Sequence, residues 1–348
     1  MSSILLASTT ALEVLRSPEY LTLADEWGES GRTIPDAMPS REDLRREIEG
    51  HPLLDRLTKP LHLLVSTDDT ASSWELACRH VSRVDHPHGS FVRIGDRIWV
   101  TSPEEVVLQM AGACTPLELS LLMDELLGTY ALVPAEPLGM VQRERPLTTL
   151  RALERHLYNA GSGYGTRKVR GALPLAFQGS NSPMESKLAL RVSAPMALGG
   201  YETPFVSMNE EVILRPIGDE FDKRRIRKPD IVFLNRRPQQ YLKELSFIGV
   251  VLDYNGIEHL TPERAAADDD RRNELLGHGL KPYGVNKVQY DRIDSMDFLM
   301  SAILRDIGED PGRIADGRDA RIALHDELER YDCIHWSLGR TRHRVATL

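Results

Sequence analysis

Apolar positions recur at helical spacing in "SPEEVVLQMAGAC" (102–114) and "PLELSLLMDELLGTYAL" (116–132), and each predicts a helix with one buried face. In the first, Ser102 is placed to cap, Pro103 takes the first helical position and Glu105 completes a capping box. "LHLLVS" (61–66) and "SFVRIGDRIWVTS" (90–102) carry strand patterns, and Gly95-Asp96 turns the second into a hairpin. Residues 1–60 are mixed and mostly polar, with a short apolar patch near the start and a charged helical stretch at "REDLRREIEG" (41–50). Helical periodicity returns over about 147–172, breaks at "GSGYG" (161–165) and restarts with Arg167, Lys168 and Arg170. That stretch is expected to connect two halves of the chain.

From 181 the alternation is more regular. "SPMESKLALRVSAP" has a strong helix start. "EEVILRPI" (210–217), "IRKPDIVFLN" (226–235) and "FIGVVLDYN" (247–255) follow as strands. "PERAAADDDRRNELLGHG" (262–279) is a helix, "KPYGVNKV" (281–288) a short strand and "SMDFLMSAILRDIG" (295–308) a further helix. The order is α-β-β-β-α-β-α, which makes the fold class α/β of the α+β kind. The expected organisation is a mixed α/β module over 1–145, a helical connector over 146–180, an αβββαβ domain over 181–310 and a helical tail over 311–348.

Composition narrows the function classes. The 348 residues are 41% hydrophobic and 27% charged, ordinary for a globular protein with a sizeable core. No apolar stretch reaches membrane-spanning length and the N-terminus lacks the basic segment of a secretory signal, so a cytoplasmic protein with no membrane partner is expected. Three widely spaced cysteines form no CxxC pair and no disulfide framework. A net charge of −9 argues against a polycation that coats nucleic acid, but it leaves room for acids that hold metal beside a local basic rim.

The candidate chemistry sits in the regular half. Asp230 falls in one predicted strand and Asp253 ends the next, in "VVLDYNGIEH" (250–259), so neighbouring strands would bring both carboxylates to one sheet edge. Hard divalent cations take oxygen ligands of this kind, and buried acids at such an edge need a positive partner. Glu185 lies in the first helical turn, where Ser182-Pro183-Met184-Glu185 equally spells a capping box. His259 follows Gly256 by three residues and suits a turn, a core or acid/base chemistry; Asp268, Asp269 and Asp270 suit a solvated helix start.

Taken together, Glu185, Asp230, "VVLDYNGIEH" and "DDDRRNELLGHG" resemble the PD-(D/E)xK nuclease superfamily. The similarity is to its branch typified by very-short-patch mismatch repair endonucleases, and it covers roughly 181–305. The resemblance implies a restriction-endonuclease-like αβββαβ core and a Mg²⁺- or Mn²⁺-dependent cleavage of DNA. It makes Glu185, Asp230, Asp253, His259 and Asp269 the catalytic set, with Asp230 and Asp253 as metal ligands. Asp269 and Arg272 fit the D-x-x-R register best, with Leu276 as its apolar member and Asp270 one residue off. Asn255 stands where the superfamily has lysine, as in the histidine-containing branch, and Asp253 stands where relatives usually have Glu. Arg224, Arg225, Arg227 and Lys228, with Arg272, would then contact phosphates, although a solvated basic face reads the same way. The alternative is a degenerate nuclease fold acting as a nucleic-acid-binding or antitoxin-like regulator. More loosely, the N-terminal half resembles the module preceding such domains in bacterial proteins, some of them antitoxin-like; the net acidity and the apolar helices at 103–133 make a protein partner for this half a further expectation.

Overall fold

The computed structural model describes residues 3–31, 33–67, 73–204, 207–214, 225–234, 249–256 and 262–331. The chain divides into two compact units, with the boundary between Pro174 and Leu175. Both mix helices with sheets of parallel and antiparallel strands, an α+β architecture.

The first unit opens with β1 (Ile4–Leu6), α1 (Ser8–Arg16), α2 (Tyr20–Trp27), β2 (Ser30–Gly31), α3 (Arg41–Gly50) and α4 (Pro52–Arg56). It continues with β3 (Leu61–Val65), β4 (Ser73–Trp74), β5 (Ala77–Val81), β6 (Phe91–Arg93) and β7 (Ile98–Thr101). Seven strands make one sheet in the order β2-β6-β7-β1-β3-β5-β4. β1 lies at its centre, parallel to β7 and antiparallel to β3, and every one of its residues is buried. Leu5, Leu64 and Phe91 pack together on one sheet face. The predicted hairpin forms as β6 and β7, with Phe91 opposite Thr101.

Four helices complete the first unit, with a short hairpin among them: α5 (Pro103–Met110), α6 (Pro116–Leu127), β8 (Tyr130–Leu132), β9 (Met140–Gln142), α7 (Leu150–Asn159) and α8 (Thr166–Ala172). Thr115 and Glu118 close a full capping box on α6. The connector expected over 146–180 is not a free bridge. Leu153 and Leu157 of α7 and Val169 and Ala172 of α8 are buried, with α7 against α5 and α8 against α6. Burial of those apolar faces makes residues 146–174 part of the first unit.

The second unit contains α9 (Pro183–Ser193), β10 (Ser207–Met208), β11 (Val212–Leu214), β12 (Arg225–Arg227), β13 (Ile231–Leu234) and β14 (Gly249–Asn255). After them come α10 (Pro262–Gly277), β15 (Leu280–Asn286), α11 (Lys287–Asp291), α12 (Ile293–Asp306) and α13 (Arg318–Arg330). Its main sheet runs β10-β13-β14-β15, with β13 antiparallel and β15 parallel to β14. The two-residue period of the strands sorts the faces. Ile231, Phe233, Val250 and Leu252 meet Leu188 and Val192 of α9 and Met296, Met300 and Ile303 of α12. Val232 and Val251 face the other way, against Leu275 of α10. Of the helical tail expected over 311–348, residues 311–330 belong to this unit, where Glu329 of α13 pairs with Lys187 of α9, and 332–348 lie outside the described residues.

One predicted strand is two. "IRKPDIVFLN" divides at Lys228-Pro229-Asp230: Arg225–Arg227 pair with β11, whereas Ile231–Leu234 pair with β14. Pro229 has no N–H to continue a ladder, and the Asp230 N–H bonds a side chain instead. The placement of Asp230 therefore changes from mid-strand to the residue entering β13.

A candidate carboxylate site in the second unit

The site is built where β13 begins and β14 ends. Asp230 and Asp253 are in phase with Val232 and Val251, so both fall on the sheet face that meets α10. Each carboxylate is tied to the backbone at the other's strand end. The Asp230 N–H donates to Asp253 Oδ1 at 3.0 Å, and the Tyr254 N–H donates to Asp230 Oδ2 at 2.6 Å. These reciprocal bonds fix the two side chains at adjoining strand positions.

Glu185 arrives from the first turn of α9. Ser182 Oγ accepts the Glu185 N–H at 3.2 Å, as an N-cap should. The carboxylate then takes Ser182 Oγ–H at 3.0 Å on Oε1, and the Asn181 N–H at 2.9 Å and Asn209 Nδ2 at 2.5 Å on Oε2. The capping-box reading is half realised: Ser182 caps the helix, but the N–H that donates back to the Glu185 carboxylate is that of Asn181, not of the cap residue. Asn209 holds its place with φ 50°, a left-handed conformation that Asn tolerates better than most residues.

The electrostatics are those of acids crowded together. Burial raises the pKa of Asp230, and the fields of Glu185 and Asp253 push it further, to about 8. Burial likewise raises Glu185, against the hydrogen bonds it receives and with Asp253 adding to the rise. Asp253 is raised by burial although Arg271 opposes the shift, its Nη2 lying 3.0 Å from Asp253 Oδ1. Asp230 Oδ1 and Asp253 Oδ2 accept no hydrogen bond among the described residues, which leaves two hard oxygens of the kind Mg²⁺ or Mn²⁺ takes. The three carboxylates are not closed into a tight cage, since no choice of one oxygen from each lies within 4.8 Å of the other two.

Several expected residues sit elsewhere. Asp269 and Arg272 are exposed on α10. Arg227 gives Nε and Nη2 to Glu274 Oε2 at 2.8 and 2.5 Å, and Lys228 lies 3.0 Å from Glu211. Arg225 belongs to β12, and Asn255 ends β14 opposite Asn286, its amide lying over Gly284 where a Cβ would come within 2.6 Å. His259 and Arg224 lie outside the described residues. The residues that sequence reasoning passed over are Arg271 and Asn209. Replacing Arg271 by Met is expected to cost about 1–2 kcal/mol at neutral pH, because Asp253 loses its counter-charge in a partly screened place. The exposed Arg272→Met change should stay within about 0.5 kcal/mol, and urea unfolding compares the two.

Two other clusters could offer three ligand atoms to a metal: His62, Cys78 and His80 in the first unit, and Asp291, His325 and Glu329 in the second. In the second cluster Lys287 already lies 2.8 Å from Asp291 and 2.6 Å from Glu329. In the first, burial and the neighbouring His80 push His62 down to about 4, and the two rings share a 2.8 Å Nδ1···Nε2 bond. No described helix is long and apolar enough to cross a membrane. Comparison with protein-family models, with curated proteins and with solved structures finds no match to this chain.

Proposed function

We infer that the second unit is a metal-dependent endonuclease-like domain that hydrolyses phosphodiester bonds in DNA. The observation carrying this reading is the meeting of Asp230 and Asp253, interlocked where β13 begins and β14 ends, with an oxygen on each that accepts no hydrogen bond among the described residues and with Glu185 adding its field. The mixed main sheet, with a helix between the parallel strands β14 and β15 and α9 packed on its face, supports the restriction-endonuclease-like core that the sequence resemblance implies.

Asp230 Oδ1 and Asp253 Oδ2 would hold a Mg²⁺ or Mn²⁺ ion. Such an ion, when bound, neutralises charge developing on the phosphate and lowers the pKa of the attacking water. The Tyr254 N–H and Arg271 keep the two carboxylates aimed, and Glu185, anchored by Asn181, Ser182 and Asn209, orients groups at the edge of the site. His259 is the candidate to move a proton at the attacking or leaving oxygen. The basic residues beside Asp230 supply phosphate contacts, for which Arg227 and Lys228 would exchange their present carboxylate partners.

The test is supercoiled plasmid nicking in Mg²⁺ and in Mn²⁺ with matched preparations. Asp230→Ala is expected to lower the rate at least about tenfold, because removing a metal-ligating carboxylate weakens transition-state charge stabilisation. Equal cleavage by wild type and variant would remove the reading. DNA binding that persists in Asp230→Ala without any metal-dependent nicking in wild type would support the regulator alternative.

A further inference from the structure

Glu105 does not behave as its spacing predicts. Ser102 Oγ does accept the Glu105 N–H, at 3.3 Å. The carboxylate, however, makes no return bond to the cap among the described residues and turns inward instead. Its Oε1 lies 3.1 Å from Nδ1 of His86, and its Oε2 lies 2.9 Å from Nε2 of His156. The other ring nitrogen of His86, Nε2, lies 2.9 Å from Ser82 Oγ. Ser82 directly follows β5 and is held there by its N–H bond to the Val65 carbonyl, at 3.0 Å. Ser82, His86 and Glu105 all line a cavity of about 630 Å³, with Leu64, Leu108 and Tyr164 among its other walls.

We propose that this is an acyl-transfer site of the serine-hydrolase kind, with Ser82 as nucleophile, His86 as general base and Glu105 as the carboxylate that orients His86. The order of contacts is the one this chemistry needs: hydroxyl to Nε2, Nδ1 to carboxylate. With Nδ1–H donated to Glu105, Nε2 is left as the acceptor for the Ser82 hydroxyl proton. Burial alone would raise the Glu105 pKa, but the hydrogen bonds from His156 and His86 outweigh it and hold the carboxyl down to about 2. The orienting group is therefore an anion at neutral pH, pinned through both oxygens. A buried carboxylate needs partners whatever its role, and the two imidazoles would meet that need alone. It needs neither the Ser82 contact nor a cavity beside it, and these two features point to a substrate.

The cavity volume lies in the range of small-molecule sites, and within its mixed polar and apolar lining Leu64, Val81 and Leu108 offer an aliphatic surface for the acyl chain of a small carboxylic ester. Ser82 Oγ would bond to the ester carbonyl carbon as its proton passes to His86 Nε2. The carbon–alkoxide bond then breaks and the alkoxide leaves with that proton. Water attacks the acyl-serine by the same proton route, releasing the carboxylic acid and restoring Ser82. No other reactant is required.

The experiment uses the full chain with a fluorophosphonate probe, read by intact mass and peptide mapping, and p-nitrophenyl butyrate as the ester. A single adduct on Ser82 is expected, formed as the Oγ–P bond replaces P–F and fluoride leaves. Ser82→Ala should take no label, and His86→Ala should slow labelling at least about 100-fold. Glu105→Gln should lower kcat for the ester with KM nearly unchanged, a split that loosening of the fold alone would not give. Unlabelled Ser82 in the folded wild-type protein overturns the proposal, as does equal labelling in a folded His86→Ala protein. Because the wild-type result decides by itself, a variant that fails to fold does not shield the idea.

Discussion

Asp230→Asn is expected to raise the melting temperature of the second unit by about 5–10 °C in EDTA at pH 8, while removing its stabilisation by Mg²⁺. The carboxyl is held at about 8 in the folded chain against an ordinary 3.8, first by burial and then by Glu185 and Asp253. A folded pKa above the unfolded one means that the native state binds the proton more tightly. Below pH 3.8 both states are protonated and nothing is lost. As pH rises from 3.8 to about 8 the unfolded chain gives up its proton first, and native stability falls throughout that window. Near pH 8 the loss approaches its full size, on the order of 2–4 kcal/mol after allowance for relaxation, and an uncharged amide escapes it. A change of 1 kcal/mol shifts the midpoint by about 2–4 °C in a unit of this size. Asn can still accept the Tyr254 N–H, so the packing is retained. Scanning calorimetry from pH 4 to 8 should show the variant's advantage grow from near zero. A variant less stable than wild type at pH 8 would contradict the raised pKa, and one that gains as much from Mg²⁺ would contradict the proposal that Asp230 holds the cation.

The same residues show what a sequence can and cannot carry. Helices whose start is written locally were legible, because Ser102, Thr115 and Ser182 cap through bonds spanning only three residues. Asp230 and Asp253 were also legible as a pair, since neighbouring antiparallel strands bring such positions together. The arginine that faces them was not. Consecutive helical residues point about 100° apart, so a register fitted to Arg272 misses that Arg271 is the one reaching Asp253. Asn209 was invisible because its role depends on an unusual backbone angle and on Glu185, 24 residues away. Glu105 failed for a different reason. A capping box gave it a sufficient local explanation, while its real partners, His86 and His156, come from a loop and a helix remote in sequence. β1 has three residues, too few for any period to register, yet it occupies the middle of the seven-stranded sheet.

The first unit should be most sensitive at another such non-local pair. Arg16 on α1 and Glu125 on α6 are 4% and 0% exposed, and they meet through two bonds of 2.8 and 2.7 Å. Glu125 Oε1 also accepts the Leu132 N–H at 3.1 Å, tying β8 to the same carboxylate. Arg143 adds a second cation at 3.8 Å and donates to the carbonyls of Glu125 and Leu15. Taking either charge away strands the other in a place water does not reach. Arg16→Ala is therefore expected to cost about 3–5 kcal/mol, seen as a lower denaturant midpoint with an unchanged slope. Arg143 is too far from Glu125 to restore the two lost bonds. Arg16→Met combined with Glu125→Leu removes both charges while keeping similar volume. In that protein Arg143 loses the carboxylate 3.8 Å away but keeps its two backbone acceptors, and the Leu132 N–H loses a partner, at about 1–3 kcal/mol. The double variant should thus be more stable than Arg16→Ala. If it is less stable, the pair contributes net attraction beyond mutual neutralisation and the desolvation argument is wrong for this site.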